Sequence, residues 1–192
     1  MNGLRILVDL DGVVADWGGA YGRRLDAYGA AAAGIPRHRD QLTFDLNEGR
    51  TDAEKRIIAA IMVEPGFYAE LEPIAGARSV LKALRAQGHE IYFVTSPWVS
   101  NPTCASDKLN WVARVYGDHW AQRTIITSEK HLVRGDVLID DKPEIKNAAD
   151  AEWRHILFTQ PYNAHIDDHR ARLDSWTLDG AAWAITQAVM GR

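Results

Sequence analysis

Short apolar runs alternating with helical segments predict an α/β fold built on a doubly wound parallel sheet, with a small helical cap inserted after the first strand. Three observations carry this expectation. Five runs are short and β-branched enough to be buried strands, and apolar residues between several of them recur at helical spacing. The interval between the first and second runs is roughly 80 residues, far more than the dozen or so that one crossover needs.

Arg5 to Leu10 reads as the first strand, because Ile6, Leu7 and Val8 form a compact run stopped by Asp11-Gly12. Similar runs cover Glu90 to Thr95, Arg123 to Thr127, Asp136 to Ile139 and Arg154 to Phe158. Ala75 to Gln87 sets Val80, Leu81 and Leu84 on one helical face before Gly88. Ser106 to Tyr116 repeats the pattern with Leu109, Val112 and Val115 before Gly117. Asp141 to Ala149 reads as a shorter helix with Pro143 in its first turn. Within the long interval, the Ala- and Gly-rich Trp17 to Ala33 is expected to be helical. Thr51-Asp52-Ala53-Glu54 has the form of a capping box opening a helix to Met62. The expected division is a core of residues 1–15 and 74–192 and a cap of residues 16–73. After Gln160 the chain is mostly polar until a final helix from Gly180 to Met190.

Composition narrows the classes of function. The chain has 192 residues, 46% hydrophobic and 25% charged, enough apolar material for a core without disulfides. Its only cysteine, Cys104, rules out an intrachain disulfide and argues against a thiolate metal centre, so a reducing, cytoplasmic setting is expected. The start of the chain has no apolar leader pattern, and no apolar run approaches the roughly 20 residues that a membrane-spanning helix needs. A net charge of -4 offers no basic surface for duplex nucleic acid, though a metal and a lysine could still receive a small anion.

Polar residues stand at four strand exits: Asp9 and Asp11 after the first, Thr95 and Ser96 after the second, Lys130 after the third, Asp140 and Asp141 after the fourth. Ligands of open parallel sheets bind at these carboxyl ends. Asp-x-Asp-Gly alone could be a turn, but Asp9 follows Val8 directly, where a buried carboxylate is costly unless paired or metal-bound. Thr95-Ser96 alone could be a turn pair before Pro97, and Lys130 alone a solvated lysine. Two adjacent carboxylates at Asp140-Asp141 favour a bound cation, with a helix N-cap as a competing use of Asp141.

Together these residues resemble the haloacid dehalogenase superfamily. Asp9-Leu10-Asp11-Gly12-Val13, Thr95, Lys130 and Asp140-Asp141 match its four motifs in order. Finer similarity points to the 5'(3')-deoxyribonucleotidases: Asp11-Gly12-Val13-Val14-Ala15-Asp16, Glu70 to Ala77, Thr95-Ser96-Pro97, Lys108-Leu109-Asn110-Trp111 and Leu138 to Pro143. The resemblance implies a phosphatase in which Asp9 is the nucleophile and Asp11 the general acid and base. It implies Mg²⁺ held by Asp9, Asp11 through its carbonyl, Asp140 and Asp141, and phosphate held by Thr95, Ser96, Lys130 and Lys108. A surface position is the competing reading of Lys108. The implied substrate is a small phosphomonoester, a deoxyribonucleoside monophosphate such as dUMP or dTMP, and a homodimer is common among such relatives. Asp11 disfavours dehalogenation, since dehalogenases of the superfamily lack a carboxylate there.

Trp17 and Phe44 are the expected pocket residues on the cap, with Leu46, Phe67, Tyr68 and Trp98 as further candidates. Met62 and Asp45 stand where those relatives carry aromatics. Alternative readings are a phosphatase of the same fold acting on another phosphoester or a polynucleotide end, and a catalytically silent phospholigand-binding module. His165 and His169, at i and i+4, could bind zinc on a helix, but a solvated surface is the expectation in so polar a segment.

Overall fold

The computed structural model describes residues 3–191. Six strands form one sheet: β1 (Arg5–Val8), β2 (Glu90–Thr95), β3 (Thr124–Ile126), β4 (Val137–Asp140), β5 (Arg154–Phe158) and β6 (Arg172–Leu173). Their order is β3-β2-β1-β4-β5-β6, and every pairing is parallel. Both faces of the sheet are covered, which is why β1 and β4 read as unbroken apolar runs rather than alternating ones. Ile6, Val8, Phe93 and Ile139 pack into the larger core on one face, while Leu7, Val94 and Leu138 meet Trp153 on the other.

The helices are α1 (Trp17–Ala27), α2 (Asp52–Met62), α3 (Ala77–Ala86), α4 (Cys104–Tyr116), the short α5 (Asp118–Ala121) and α6 (Leu178–Met190). The chain runs β1, β2, β3 towards one edge, then returns to lay β4 on the other side of β1. That reversal opens a crevice beyond the carboxyl ends of β1 and β4, where Asp9 and Asp140 emerge.

Between β1 and α3 lie α1, α2 and three 3₁₀ turns. The Asp16 side chain caps α1 by accepting from the Gly19 N–H at 2.8 Å. Thr51 and Glu54 form the reciprocal capping box of α2. The two ends of this insertion are joined at its base: the Asp16 N–H donates to the Glu72 carbonyl at 2.7 Å, the Ile74 N–H donates to the Val14 carbonyl at 2.9 Å, and Ala15 bridges Pro73.

Two helices expected from the sequence are corrected. The helix expected over Trp17 to Ala33 stops at Ala27; Gly29, at φ 50°, turns the chain into a 3₁₀ segment over Gly29–Ala32. No α-helix occupies Asp141 to Ala149. The Lys142 N–H is taken by Asp140 Oδ1 at 2.9 Å, and Asn147 at φ 56° interrupts any right-handed run, leaving a 3₁₀ turn at Ala148–Asp150. The polar segment after Gln160 contains β6, a two-residue edge strand too short to show a period. His165 and His169 are exposed, as expected of so polar a segment, and lie outside any helix, with His169 at φ 63°. No helix among the described residues is long and apolar enough to cross a membrane.

Candidate active site

Asp9 directly follows β1 with its N–H bonded to the Ile139 carbonyl at 2.9 Å, and it is 7% exposed. Lys130, on a 3₁₀ turn after β3, lies 2.7 Å from Asp9 Oδ1 and 2.6 Å from Asp140 Oδ2. All three side chains are buried, so these are interactions in a low dielectric, where an unpaired partner would be costly. Asp140 is steadied further from behind. His155 Nε2 donates to its carbonyl at 3.1 Å, while His155 Nδ1 accepts from Arg170 Nη1 at 2.9 Å; both contacts require the same tautomer.

A second ammonium group organises the other half. Lys108 of α4 is buried, with Nζ 2.8 Å from Asp11 Oδ2, 2.9 Å from Thr95 Oγ1 and 2.6 Å from the Ser96 carbonyl. Its face of α4 packs on the returning end of the insertion: Trp111 Nε1 donates to the Leu71 carbonyl at 2.6 Å, and Lys108 Nζ sits 5.1 Å from the Tyr68 ring centre. The surface reading of Lys108 is therefore discarded. Ser96 is exposed, its hydroxyl donating to the Thr127 carbonyl at 3.2 Å.

Carboxylate oxygens of Asp9, Asp140 and Asp141 lie within 4.8 Å of one another. Burial pushes Asp9 up to about 6 despite the pull of Lys130. Asp141 is driven well above the usual carboxylate range by burial and by repulsion from Asp140 and Asp9. Burial works against the charge on Asp140 too, but Lys130 outweighs it and holds Asp140 below its ordinary value. Three hard oxygen donors with surplus negative charge fit a divalent cation. Gly12, at φ 72°, belongs to the same constriction, since a Cβ there would stand 2.3 Å from Asp141 Oδ2.

These groups line one side of a cavity of about 610 Å³. Trp17, stacked on Tyr21 at 4.8 Å between ring centres, lines it from the insertion together with Phe44, Leu46, Met62 and Tyr68. Phe44 is 44% exposed, and Trp98 and Asp45 also border the cavity. Phe67 does not; it is fully buried in the core. The sequence reading missed Tyr162, whose hydroxyl hydrogen-bonds Asp141 Oδ2, and Asn163, whose Nδ2 donates to the Asp141 carbonyl at 2.8 Å. Neither carries a periodic or motif signal; the one available hint was their place after a strand exit.

The fold and this carboxylate–lysine arrangement define a hydrolase of the haloacid dehalogenase type. A superfamily hydrolase from Geobacter sulfurreducens matches with a TM-score of 0.54 over 95% of this chain and 98% of that one, at 12% identity. A superfamily hydrolase from Entamoeba histolytica gives 0.52 over 97% and 100%, at 13% identity. At such identities the likeness is one of fold. Within that class the chain belongs to the family described as 5' nucleotidase, deoxy (pyrimidine), cytosolic type C protein, whose profile matches residues 2–182. It is similar to the human mitochondrial 5'(3')-deoxyribonucleotidase, with 35% identity over 188 residues, 93% of this chain and 81% of that protein. The human cytosolic type is 32% identical over 181 residues, 91% and 90% of the two chains. A Bordetella bronchiseptica protein provisionally given the same name is 37% identical over 171 residues, 88% and 90%. The chain is accordingly a phosphatase of the nucleotidase family.

Proposed function

We propose that this chain hydrolyses deoxyribonucleoside monophosphates, dUMP and dTMP foremost, by Mg²⁺-dependent phosphoryl transfer to Asp9. The observation that carries this reading is the pairing of two half-sites across one crevice: Asp9, Asp140 and Asp141 around Lys130, and Asp11 with Thr95 around Lys108. Asp9, Asp140 and the Asp11 carbonyl would hold the ion, with Asp141 directly or through water; bound Mg²⁺ would offset charge on the phosphate and on Asp9.

Asp9 attacks phosphorus in line as the bond to the leaving oxygen breaks, giving an aspartyl phosphate. Asp11 gives the leaving oxygen its proton, then takes one from the water that hydrolyses the acyl phosphate. Lys130, Lys108, Thr95 and the Ser96 amide hold the remaining phosphate oxygens, stabilising charge in a loose transition state. Lys108 already bonds both Asp11 and Thr95, so it can pass from that pairing to an incoming phosphate without leaving the crevice. Residues 16–73 act as a cap on the core of 1–15 and 74–192, with Trp17 and Phe44 forming the wall that the leaving group meets. The buried Cys104 accords with a reducing, cytoplasmic setting.

The test is phosphate release from a panel of nucleotides, sugar phosphates and phosphorylated oligonucleotides, with Mg²⁺ and with chelator. Wild type is expected to favour deoxyribonucleoside monophosphates, to need Mg²⁺, and to fall to background in Asp9→Asn. Undiminished turnover by that variant overturns the reading.

A further inference from the structure

The turn between β5 and β6 reaches three parts of the site that come from elsewhere in the chain. Gln160 Nε2 donates to the carbonyl of Gly12, beside Asp11, and its Oε1 accepts from His38 of the insertion at 2.8 Å. Asn163, fully buried, donates to the carbonyls of Asp141 and Phe158 at 2.8 and 2.9 Å, and its Oδ1 accepts the Gln160 N–H at 2.9 Å. The turn is thereby fixed to the end of β5 and to the backbone after β4. Tyr162 stands between these two residues and is 6% exposed.

The two adjacent carboxylates of the crevice are held by different means. Asp140 has Lys130 on one oxygen and the Lys142 N–H on the other. Asp141 has no such cation; among the described residues the one side chain hydrogen-bonded to its carboxylate is Tyr162. Gly12 crowds the same oxygen of that carboxylate, where even a Cβ would collide. The phenol ring has little freedom of its own, because His38 and Phe44 pack edge-on against it, each at 5.6 Å between ring centres.

We propose that Tyr162 is a positioning residue: its hydroxyl sets the orientation of the Asp141 carboxylate for the divalent cation. A carboxylate can turn about two side-chain bonds, and a hydrogen bond from a locked ring removes that freedom before the ion arrives. Partners of metal-ligating carboxylates characteristically act in this way, and losing one weakens metal affinity about 10–100-fold. The inference rests on the Mg²⁺ reading above.

The experiment is calorimetric titration of Mg²⁺ into wild type, Tyr162→Phe and Asp141→Asn, paired with thermal melts in chelator and in Mg²⁺. Phenylalanine keeps the ring and its packing, so the melting temperature in chelator should stay within about 2 °C of wild type. The Kd for Mg²⁺ should rise at least about tenfold, and the Mg²⁺-induced rise in melting temperature should shrink. Turnover lost at low Mg²⁺ should return when the ion is raised to saturation, which a merely structural defect would not allow. Equal Mg²⁺ affinity in wild type and Tyr162→Phe overturns the inference while leaving the metal reading intact. A wild type that takes up no Mg²⁺ overturns the metal reading and this inference with it.

Discussion

The two sides of the cavity are built on opposite principles. On the strand-end side, charged groups are buried and mutually paired: Lys130 spans Asp9 and Asp140, and Lys108 spans Asp11 and Thr95. On the insertion side, apolar groups such as Trp17, Phe44 and Met62 contact the space without a directed bond across it, and Phe44 is partly open to solvent. A buried charge admits few arrangements because each unmet partner is costly. An aromatic wall admits many, because dispersion contacts are individually small and undirected. The charged side is therefore held tightly while the apolar wall opposite is free to vary, and Asp45 and Met62 occur on that free side.

Lys130→Met should show the contrast at its largest. It strands two buried carboxylates and should cost about 3–5 kcal/mol in stability, read from urea unfolding in chelator. A cost as small as that of a surface substitution would mean that the strand-end charges are not mutually dependent.

A smaller effect concerns Asp9 itself. Its pKa rises from the ordinary 3.8 to about 6 on folding. Between these values the metal-free folded state binds more protons than the unfolded state, so this group's stabilising contribution is present at low pH and lost as pH rises towards about 6. Asp9→Asn removes the titration. In chelator its melting temperature should therefore gain on wild type from about pH 4 to about pH 6 and level off above. A difference that stays constant over this range would show that Asp9 does not carry this strain.

Phe44→Ala should produce the smallest change. Partial exposure limits its stability cost to about 1 kcal/mol, while KM for the preferred nucleotide should rise several-fold with kcat little altered. A collapse of kcat would show that the wall shares in the chemistry and would dissolve the contrast.

The same contrast explains what could be read in the sequence. Asp9, Thr95, Lys130 and Asp140 were legible because each follows a buried strand or its exit, where a polar side chain needs a reason. Lys108 was ambiguous, since a lysine in a helical pattern reveals its burial only once α4 is packed on the insertion near Tyr68. Tyr162 was invisible, because its turn has no period and its partner lies 21 positions away. The segment after Asp140 was misread as a helix: Pro143 and the alanines favour one, but Asp140 takes the Lys142 amide and Asn147 turns left-handed. Five strands of a parallel sheet followed from the apolar runs, whereas the order of the strands rests on packing that no run reveals, and β6, two residues long, shows no period.

The junction of Ala15 with Pro73 has a consequence for how such enzymes diversify. Because the insertion departs and returns at hydrogen-bonded neighbours, its two attachment points form one site on the core rather than two. A segment of different length or sequence could be grafted there without altering the span that the core must bridge. Lineages could then exchange one wall of the cavity while inheriting the charged strand ends unchanged.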